Sequence, residues 1–122
     1  MRYVRLYADE AGESHFEDAD LPMQAMDFAP PAPPIQVSPF APAAAYGFLS
    51  SPPGWDGGWH PTPRRQLLFY LAGEVEAETS DGERRRFGPG SVTLVEDTTG
   101  KGHASRVVGS SDVLLAVVQL PD

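Results

Sequence analysis

The sequence predicts an all-β protein in which many short antiparallel strands form a sandwich or barrel. Three observations support this fold class. No segment of the 122-residue chain keeps a 3.6-residue apolar period, short apolar or alternating segments recur about every ten residues, and turns rich in Gly and Pro separate them. This spacing is typical of sandwiches and barrels, and the length suits one domain.

Six segments carry the strand signal: Arg2–Ala8, Gln66–Ala72, Glu74–Thr79, 91–95, 104–108 and 112–119. The third alternates strictly, with glutamates on one face. It is followed by Asp81-Gly82, a pair that favours a two-residue hairpin turn. A simple register across that turn places Glu78 opposite Arg85. The arginines at 84–86 are therefore interpreted as ladder partners of the glutamates and not as an anion site.

A proline-rich stretch interrupts these strands. Eleven of the 13 prolines lie between Leu21 and Pro63, and proline cannot occupy a central strand or a helix interior. Large apolar residues are interspersed there, more than a solvated linker carries: Met23, Met26, Phe28, Ile35, Val37, Phe40, Tyr46 and Phe48. We therefore expect residues 1–45 to form a first strand and an ordered, extended arm that packs on a barrel of residues 46–122, within one structural domain.

Composition excludes several function classes. The formal net charge of −8 disfavours nucleic acid and anionic membranes as partners. The longest strongly apolar run has six residues, far fewer than the roughly 20 that a membrane helix needs. No apolar segment follows the N-terminus as in a signal peptide, which predicts a cytoplasmic location. With no cysteine in the chain, thiolate ligands and Cys nucleophiles are excluded, and any metal site or general base must use the three histidines or carboxylates.

The stretch from Gly54 to Val107 contains an informative spacing. Gly54 is followed by five residues, then His60-Pro61-Thr62, three residues, Gln66, six residues and Gly73. A Gly-Pro-Gly turn, a strand, a loop and His103 come later. This arrangement resembles both motif blocks of the cupin family. The resemblance implies a small, single-domain double-stranded β-helix, a jelly-roll-like barrel, with the Pro-rich arm at its N-terminus.

The resemblance also implies a ligand set. Cupins typically hold a divalent metal with two His and one Glu of the first block and one His of the second. In this chain only His60 and His103 match, because Thr62 replaces the other His and Gln66 replaces the Glu. The implied metal site at His60, Gln66 and His103 is weak or absent. Two outcomes are given equal weight: a divalent metal (Fe, Mn, Zn or Ni), or no cofactor at all.

Two alternatives to that depleted site are open. A nearby carboxylate, from Asp56, Glu96 or Asp97, could complete the ligand set. Without any metal, His60 and His103 would be barrel residues hydrogen-bonded to each other, to Gln66 or to water.

Strand parity predicts which side chains face the barrel interior. It places Thr62, Gln66 and Tyr70 inside, together with the first histidine, and these are candidate ligand-binding residues. The aromatic residues Trp59 and Phe48, near the expected barrel mouth, are further candidates.

The candidate catalytic residues are His60, His103 and Tyr70, since histidine acts as an acid or base near neutral pH. His15 is the remaining histidine of the chain. It lies in an acidic stretch and is interpreted as a solvated surface residue.

Three function classes follow, and whether the protein is an enzyme stays open among them. The first is a barrel that binds a small organic molecule, with or without metal-free catalysis. The second is a metal-dependent dioxygenase, isomerase or lyase acting on a small-molecule metabolite, and the third is a sensing or accessory module. We also expect a homodimer, because a small barrel has sheet edges to protect. Strand Arg2–Ala8 is expected either to pair across the interface or to complete the sheet.

Overall fold

The computed structural model describes all 122 residues and contains twelve strands and no helix, which confirms the all-β prediction. In chain order β1 to β12 are Arg2–Ala8, Ser14–Asp20, Gln24–Met26, Ile35–Val37, Ala45–Ser51, Asp56–His60, Gln66–Ala72, Glu74–Thr79, Arg84–Phe87, Val92–Val95, His103–Val108 and Val113–Gln119. The six predicted segments are all strands, each within one residue of its expected bounds. No helix that could cross a membrane is present.

Ten of the strands form two sheets that enclose the core. One sheet has the order β2-β1-β10-β7-β12-β5 and the other β6-β11-β8-β9, while β3 and β4 make a separate hairpin. Alternate side chains of both sheets meet between them, since successive residues of a strand point to opposite faces. The buried cluster draws Leu6, Phe16, Tyr70 and Val113 from the first sheet, and Val75, Ala77, Phe87 and Val107 from the second.

The first strand completes the larger sheet. β1 pairs in antiparallel fashion with β2 and in parallel fashion with β10. Because both of its edges are occupied within the chain, β1 cannot pair with a second copy, and of the two expected roles it takes the internal one. Residues 2–20 thus belong to the barrel sheet, and the Pro-rich part of the chain is residues 21–44.

The register of the β8–β9 hairpin differs from the predicted one by one residue. Glu78 lies opposite Arg84, and Arg85 lies opposite Ala77. The reason is a three-residue connection, 80–82, in which Gly82 has φ +93° and the Thr79 amide donates to the Glu83 carbonyl.

The shifted register divides the arginines between two faces. Arg84 and Arg86 pair with the glutamate row as expected, through Glu78 and Glu76. Arg85 points to the other face, where its guanidinium lies 2.7 Å from Asp18 of β2.

Candidate functional site

A cavity of about 270 Å³ opens between the two sheets. Its base is apolar and is formed by core side chains such as Leu68, Val75 and Val107. Polar side chains lie in the same wall, contributed mainly by β5, β7 and β11. Among all the lining residues there is no Lys, Arg, Asp or Glu. The cavity is therefore a mostly apolar site with a few hydrogen-bonding groups, which is the usual composition of a small-molecule site.

Two histidines face each other in this wall. β6 and β11 pair in antiparallel fashion with His60 directly opposite His103, and the ring centroids are 5.2 Å apart. This approach depends on Gly102. Its φ is +74°, and a Cβ at this position would lie 2.2 Å from the carbonyl carbon of His60. Only glycine leaves room for the two backbones to meet here.

Hydrogen bonds fix the orientation and the tautomer of both rings. The Nδ1–H of His60 donates to the carbonyl oxygen of Gly58 at 3.1 Å. The Nδ1–H of His103 donates to Oδ2 of Asp97 at 2.6 Å. Since a carbonyl and a carboxylate can only accept, each ring in its neutral form carries its proton on Nδ1 and presents Nε2 as a hydrogen-bond acceptor. Each ring thus offers one nitrogen lone pair, at Nε2, to a hydrogen-bond donor on a ligand.

Asp97 is the functional residue whose role the sequence argument missed. Its side chain is fully buried, with 0% exposure, and Oδ1 has no hydrogen-bond partner. The carbonyl of Asp97 also accepts the Thr62 amide at 3.1 Å, which holds the loop against the wall. The sequence carried one signal for this role: Asp97 has the same parity as Thr93 and Val95, two residues that line the cavity. It orients His103 from behind and is not itself part of the cavity wall.

Three other candidate ligand-binding residues lie in the wall. Thr62, Gln66 and Tyr70 all line the cavity. The Thr62 hydroxyl donates to the carbonyl of Arg64 at 3.0 Å. The Tyr70 hydroxyl lies 3.4 Å from Thr93 Oγ1, and burial raises the pKa of Tyr70 to about 12. Tyr70 is therefore a phenol, able to donate a hydrogen bond, at every physiological pH.

The two candidate aromatic residues lie outside the cavity. Trp59 adjoins the inward-facing His60, and Phe48 adjoins Leu49, which does line the cavity. Because neighbours along a strand point to opposite faces, both aromatic side chains are directed outward and are exposed. The assignment of Trp59 and Phe48 as ligand-binding residues is corrected accordingly. Of the two tryptophans, Trp55 lines the cavity, together with the aromatic residues Phe16, Tyr70 and Phe87.

The acidic residues considered as substitute ligands do not enter the site. Glu96 is bonded to Arg5 at 2.5 Å and to Arg65 at 2.7 Å and does not line the cavity. Although partial burial opposes its ionisation, the hydrogen bonds from both arginines hold the pKa of Glu96 below its ordinary value. Asp56 is exposed and accepts the Gly58 amide at 2.9 Å.

The donor set does not fit a tightly held divalent metal. His60 and His103 supply two neutral nitrogen donors, and no carboxylate joins them. No group of three or more His, Cys, Asp or Glu side chains in the chain is arranged to hold a metal ion. A 2-His-1-carboxylate set needs one negative charge that Gln66, at the position of the expected glutamate, does not carry.

Solved cupin structures resemble the chain over most of its length. The cupin domain of Cnp3 from Schizosaccharomyces pombe gives a TM-score of 0.53 at 16% identity, covering 89% of this chain and 73% of that one. A Cupin 2 conserved barrel domain protein from Salinispora arenicola gives 0.52 at 19% identity, covering 83% and 76%. KdgF from a Halomonas species gives 0.51 at 20% identity, covering 81% and 89%.

No protein-family model matches the sequence, and no curated protein matches it either. The structural matches, all below 25% identity, concern the fold. The chain has the fold of a cupin barrel.

Proposed function

We propose that the barrel binds a small, electrically neutral organic molecule that has an apolar body and a hydroxyl or similar donor at one end. The observation that carries this proposal is the composition of the cavity wall. It pairs an apolar base with two Nε2 acceptors and has no charged side chain to compensate a charged ligand. Alcohols, phenols and enols are the matching class.

The absence of a cation in the wall supports neutrality. A carboxylate or phosphate transferred into a largely apolar cavity loses its hydration, and this cost is offset only by a paired charge or several hydrogen bonds. Two neutral imidazoles that present lone pairs would repel an anion's oxygens. A hydroxyl donor is attracted by the same groups, and Tyr70 or the Gln66 amide can donate to its oxygen.

The cavity volume supports a small ligand. Sites for drug-sized molecules span roughly 300–1,000 Å³. The present cavity, at about 270 Å³, lies just below this range. A single ring with one or two substituents is a suitable size, and a dinucleotide is too large.

Matched pairs of probes test the proposal. We expect benzyl alcohol to perturb the Nε2 resonances of His60 and His103 in long-range ¹H–¹⁵N NMR and to raise the melting temperature with concentration, whereas benzoate does neither. The double variant His60→Ala/His103→Ala should weaken benzyl alcohol binding by about tenfold, since one to two hydrogen bonds are lost. His15→Ala is the control: His15 is the one histidine that does not line the cavity, and this variant should bind as wild type does. Tighter binding of benzoate would contradict the proposal.

A second candidate function is proton transfer, favoured by the His103–Asp97 couple. In a bound neutral ketone, the Nε2 lone pair of His103 would take an α-proton and form an N–H bond. The electron pair of the broken C–H bond forms the C=C bond of the enolate, and the π pair of the carbonyl moves to its oxygen. Asp97 would hold the resulting imidazolium, and Tyr70 would donate to the enolate oxygen.

Isotope exchange separates proton transfer from binding alone. Exchange of the α-protons of cyclohexanone in D₂O, followed by ¹H NMR, should be accelerated by wild type and should slow at least about tenfold in Asp97→Asn. If the exchange rate with wild type equals the rate in buffer alone, proton transfer to this ketone is excluded. The binding proposal is then judged by the benzyl alcohol titration alone.

A further inference from the structure

We propose that Trp55 is a specificity-determining residue of the cavity, and that its ring favours a ligand with a flat aromatic ring over one with a saturated ring. This role rests on the proposed binding function and narrows the ligand class to phenols and aryl-substituted alcohols. Trp55 lines the cavity and is 40% exposed, and His60 is likewise an exposed lining residue. Both side chains therefore lie at the opening of the cavity, where they meet an entering ligand.

The ring of Trp55 has no aromatic partner within the chain. The phenyl and phenol rings of the wall are core side chains that pack on one another: the centroid of Phe87 lies 6.0 Å from that of Phe16 and 5.4 Å from that of Tyr70. None of the aromatic pairs of the chain includes Trp55. A partly exposed, unpaired indole can stack with a ligand ring, and such a pair is more stable than its buried area alone predicts.

Hydrogen bonds hold the backbone of Trp55 on both sides. Its amide donates to the carbonyl of Pro52 at 3.1 Å and closes a turn in which Gly54 has φ +82°. Its carbonyl accepts the amide of Val107 at 2.9 Å, and Val107 belongs to β11 and lines the cavity. Because this backbone is already fixed in the free protein, ordering it when a ligand binds costs little.

The indole lies over Gly57. A Cβ at this glycine would lie 2.6 Å from Cη2 of Trp55 and 3.2 Å from both Cζ2 and Cζ3. The φ of Gly57 lies outside the left-handed region, so its backbone does not call for glycine, in contrast to Gly58 with φ +65°. The nearest atoms that a side chain at position 57 would meet all belong to the six-membered ring of Trp55. Glycine at this position therefore leaves room for the indole.

The same two glycines connect the indole to His60. They form a β-bulge, because Gly57 and Gly58 of β6 lie opposite the single residue Ser105 of β11. The carbonyl of Gly58 accepts the Nδ1–H of His60 at 3.1 Å, while Gly57 makes room for the indole. Bulges beside functional sites commonly direct side chains in this way. One bulge thus places an aromatic surface and a nitrogen lone pair at the same opening, and a ring that carries a hydroxyl group matches both.

Two alcohols that differ only in their ring test this role. Benzyl alcohol and cyclohexylmethanol carry the same hydroxymethyl group on an aromatic and a saturated ring, and titrations followed at the histidine Nε2 resonances give both association constants. We expect Trp55→Leu to lower the ratio of these constants, benzyl alcohol over cyclohexylmethanol, by about two- to tenfold relative to wild type. Leucine keeps the wall apolar and removes only the aromatic ring.

Gly57→Ala tests the same role with Trp55 intact. The added methyl group displaces the indole and should also lower the ratio, whereas any disturbance of His60 would weaken both alcohols alike. Trp59→Leu is the matched control for loss of a tryptophan, and Gly88→Ala is the control for an added methyl group, since a Cβ at Gly88 meets nothing within 4 Å. Both controls should keep the wild-type ratio.

The outcomes separate this role from the binding function itself. If both alcohols bind and Trp55→Leu leaves their ratio at the wild-type value, the role of Trp55 is wrong and the binding function stands. If neither alcohol binds wild type, both are wrong. In Trp59→Phe, where Trp55 is the single tryptophan of the chain, indole fluorescence should change as benzyl alcohol binds, and a constant signal at saturation would also overturn the proposal.

Discussion

At the scale of single residues, Gln66 determines the charge of the cavity wall. It occupies the position at which the cupin motif has a metal-binding glutamate, and it lines the same cavity as His60 and His103. The substitution Gln66→Glu adds one carboxylate to two nitrogen donors that already present Nε2. We expect the affinity for Mn(II) or Zn(II) to rise at least about tenfold over wild type, measured by isothermal titration calorimetry.

The control for this prediction removes a nitrogen donor. In Gln66→Glu/His103→Ala the gain should disappear, because a single imidazole and a carboxylate do not make a strong site. Wild type that binds either metal as tightly as Gln66→Glu would show that the cavity already holds a competent ligand set. If neither protein binds, the two Nε2 atoms do not converge on a common point.

At the scale of elements, the β6–β11 pairing depends on one glycine at the start of β11. Gly102 combines a positive φ with a close approach to the backbone of His60. Gly102→Ala should therefore destabilise the protein by at least about 2 kcal/mol, from backbone strain and from the displacement of β6. Urea unfolding measures the loss.

Gly82→Ala is the matched control for strain alone. Gly82 also has a positive φ, +93°, but a Cβ there meets nothing within 4 Å. Its cost should be about 1 kcal/mol. Equal costs for the two variants would mean that the approach to His60 does not constrain position 102.

The strands differ in how far the sequence alone predicts them. Apolar segments such as Gln66–Ala72 can be recognised from their composition. Strand propensity and burial favour the same apolar residue types, so both signals point to a strand. β2, with the sequence SHFEDAD, has little intrinsic strand character and exists because β1 pairs with it along its whole length. β6, DGGWH, is likewise a strand through its pairing with β11. Tertiary pairing of this kind leaves no local signal.

In the candidate site, too, some features follow from the local sequence and others depend on tertiary structure. Alternation along a strand is a local property, so parity places Thr62, Gln66 and Tyr70 in the wall. The opposition of His60 and His103 depends on the register of two strands that are far apart in the chain. The Asp97 contact depends on the path of a loop. Neither can be obtained from residue spacing.

At the scale of the whole molecule, a polar cluster joins the two sheets. His15 of β2 contacts Asp9 through Nε2 at 2.7 Å and Asp81 through Nδ1 at 3.0 Å. Asp9 follows β1 of the larger sheet, and Asp81 lies in the β8–β9 connection of the smaller one. His15 lies at the surface, as interpreted from the sequence, with 30% of its side chain exposed, but both ring nitrogens are engaged by carboxylates. Both nitrogens can donate at once only when the ring is an imidazolium.

The pKa shifts of His15, Asp9 and Asp81 agree with an imidazolium held between two carboxylates. The hydrogen bond to Asp9, more than the one to Asp81, raises the pKa of His15 above 6.5. The hydrogen bond from His15 lowers the pKa of Asp9 below 3.8. Burial opposes ionisation of Asp81, but the hydrogen bonds from Thr79, the Glu83 amide and His15 leave its pKa lowered as well.

These shifts define a pH window for the stability that the cluster contributes. The raised pKa of His15 means that the contribution is complete below about pH 6.5 and is lost as pH rises through the higher folded value. The lowered pKa of Asp9 means that it is present above about pH 4 and is lost as pH falls through the lower folded value. The cluster therefore stabilises the fold most between about pH 4 and 6.5.

We expect His15→Gln to lower the urea midpoint of unfolding more at pH 5.5 than at pH 9, because the stabilisation by the imidazolium is lost as pH rises through the raised pKa of His15. Asp81→Asn should show the same pH dependence, because it removes one of the two acceptors. Glu10→Gln, a neighbouring exposed carboxylate in the β1–β2 turn, is the matched control. A loss in His15→Gln that is equal at both pH values would mean that the ring acts by packing alone and that its charge does not join the sheets.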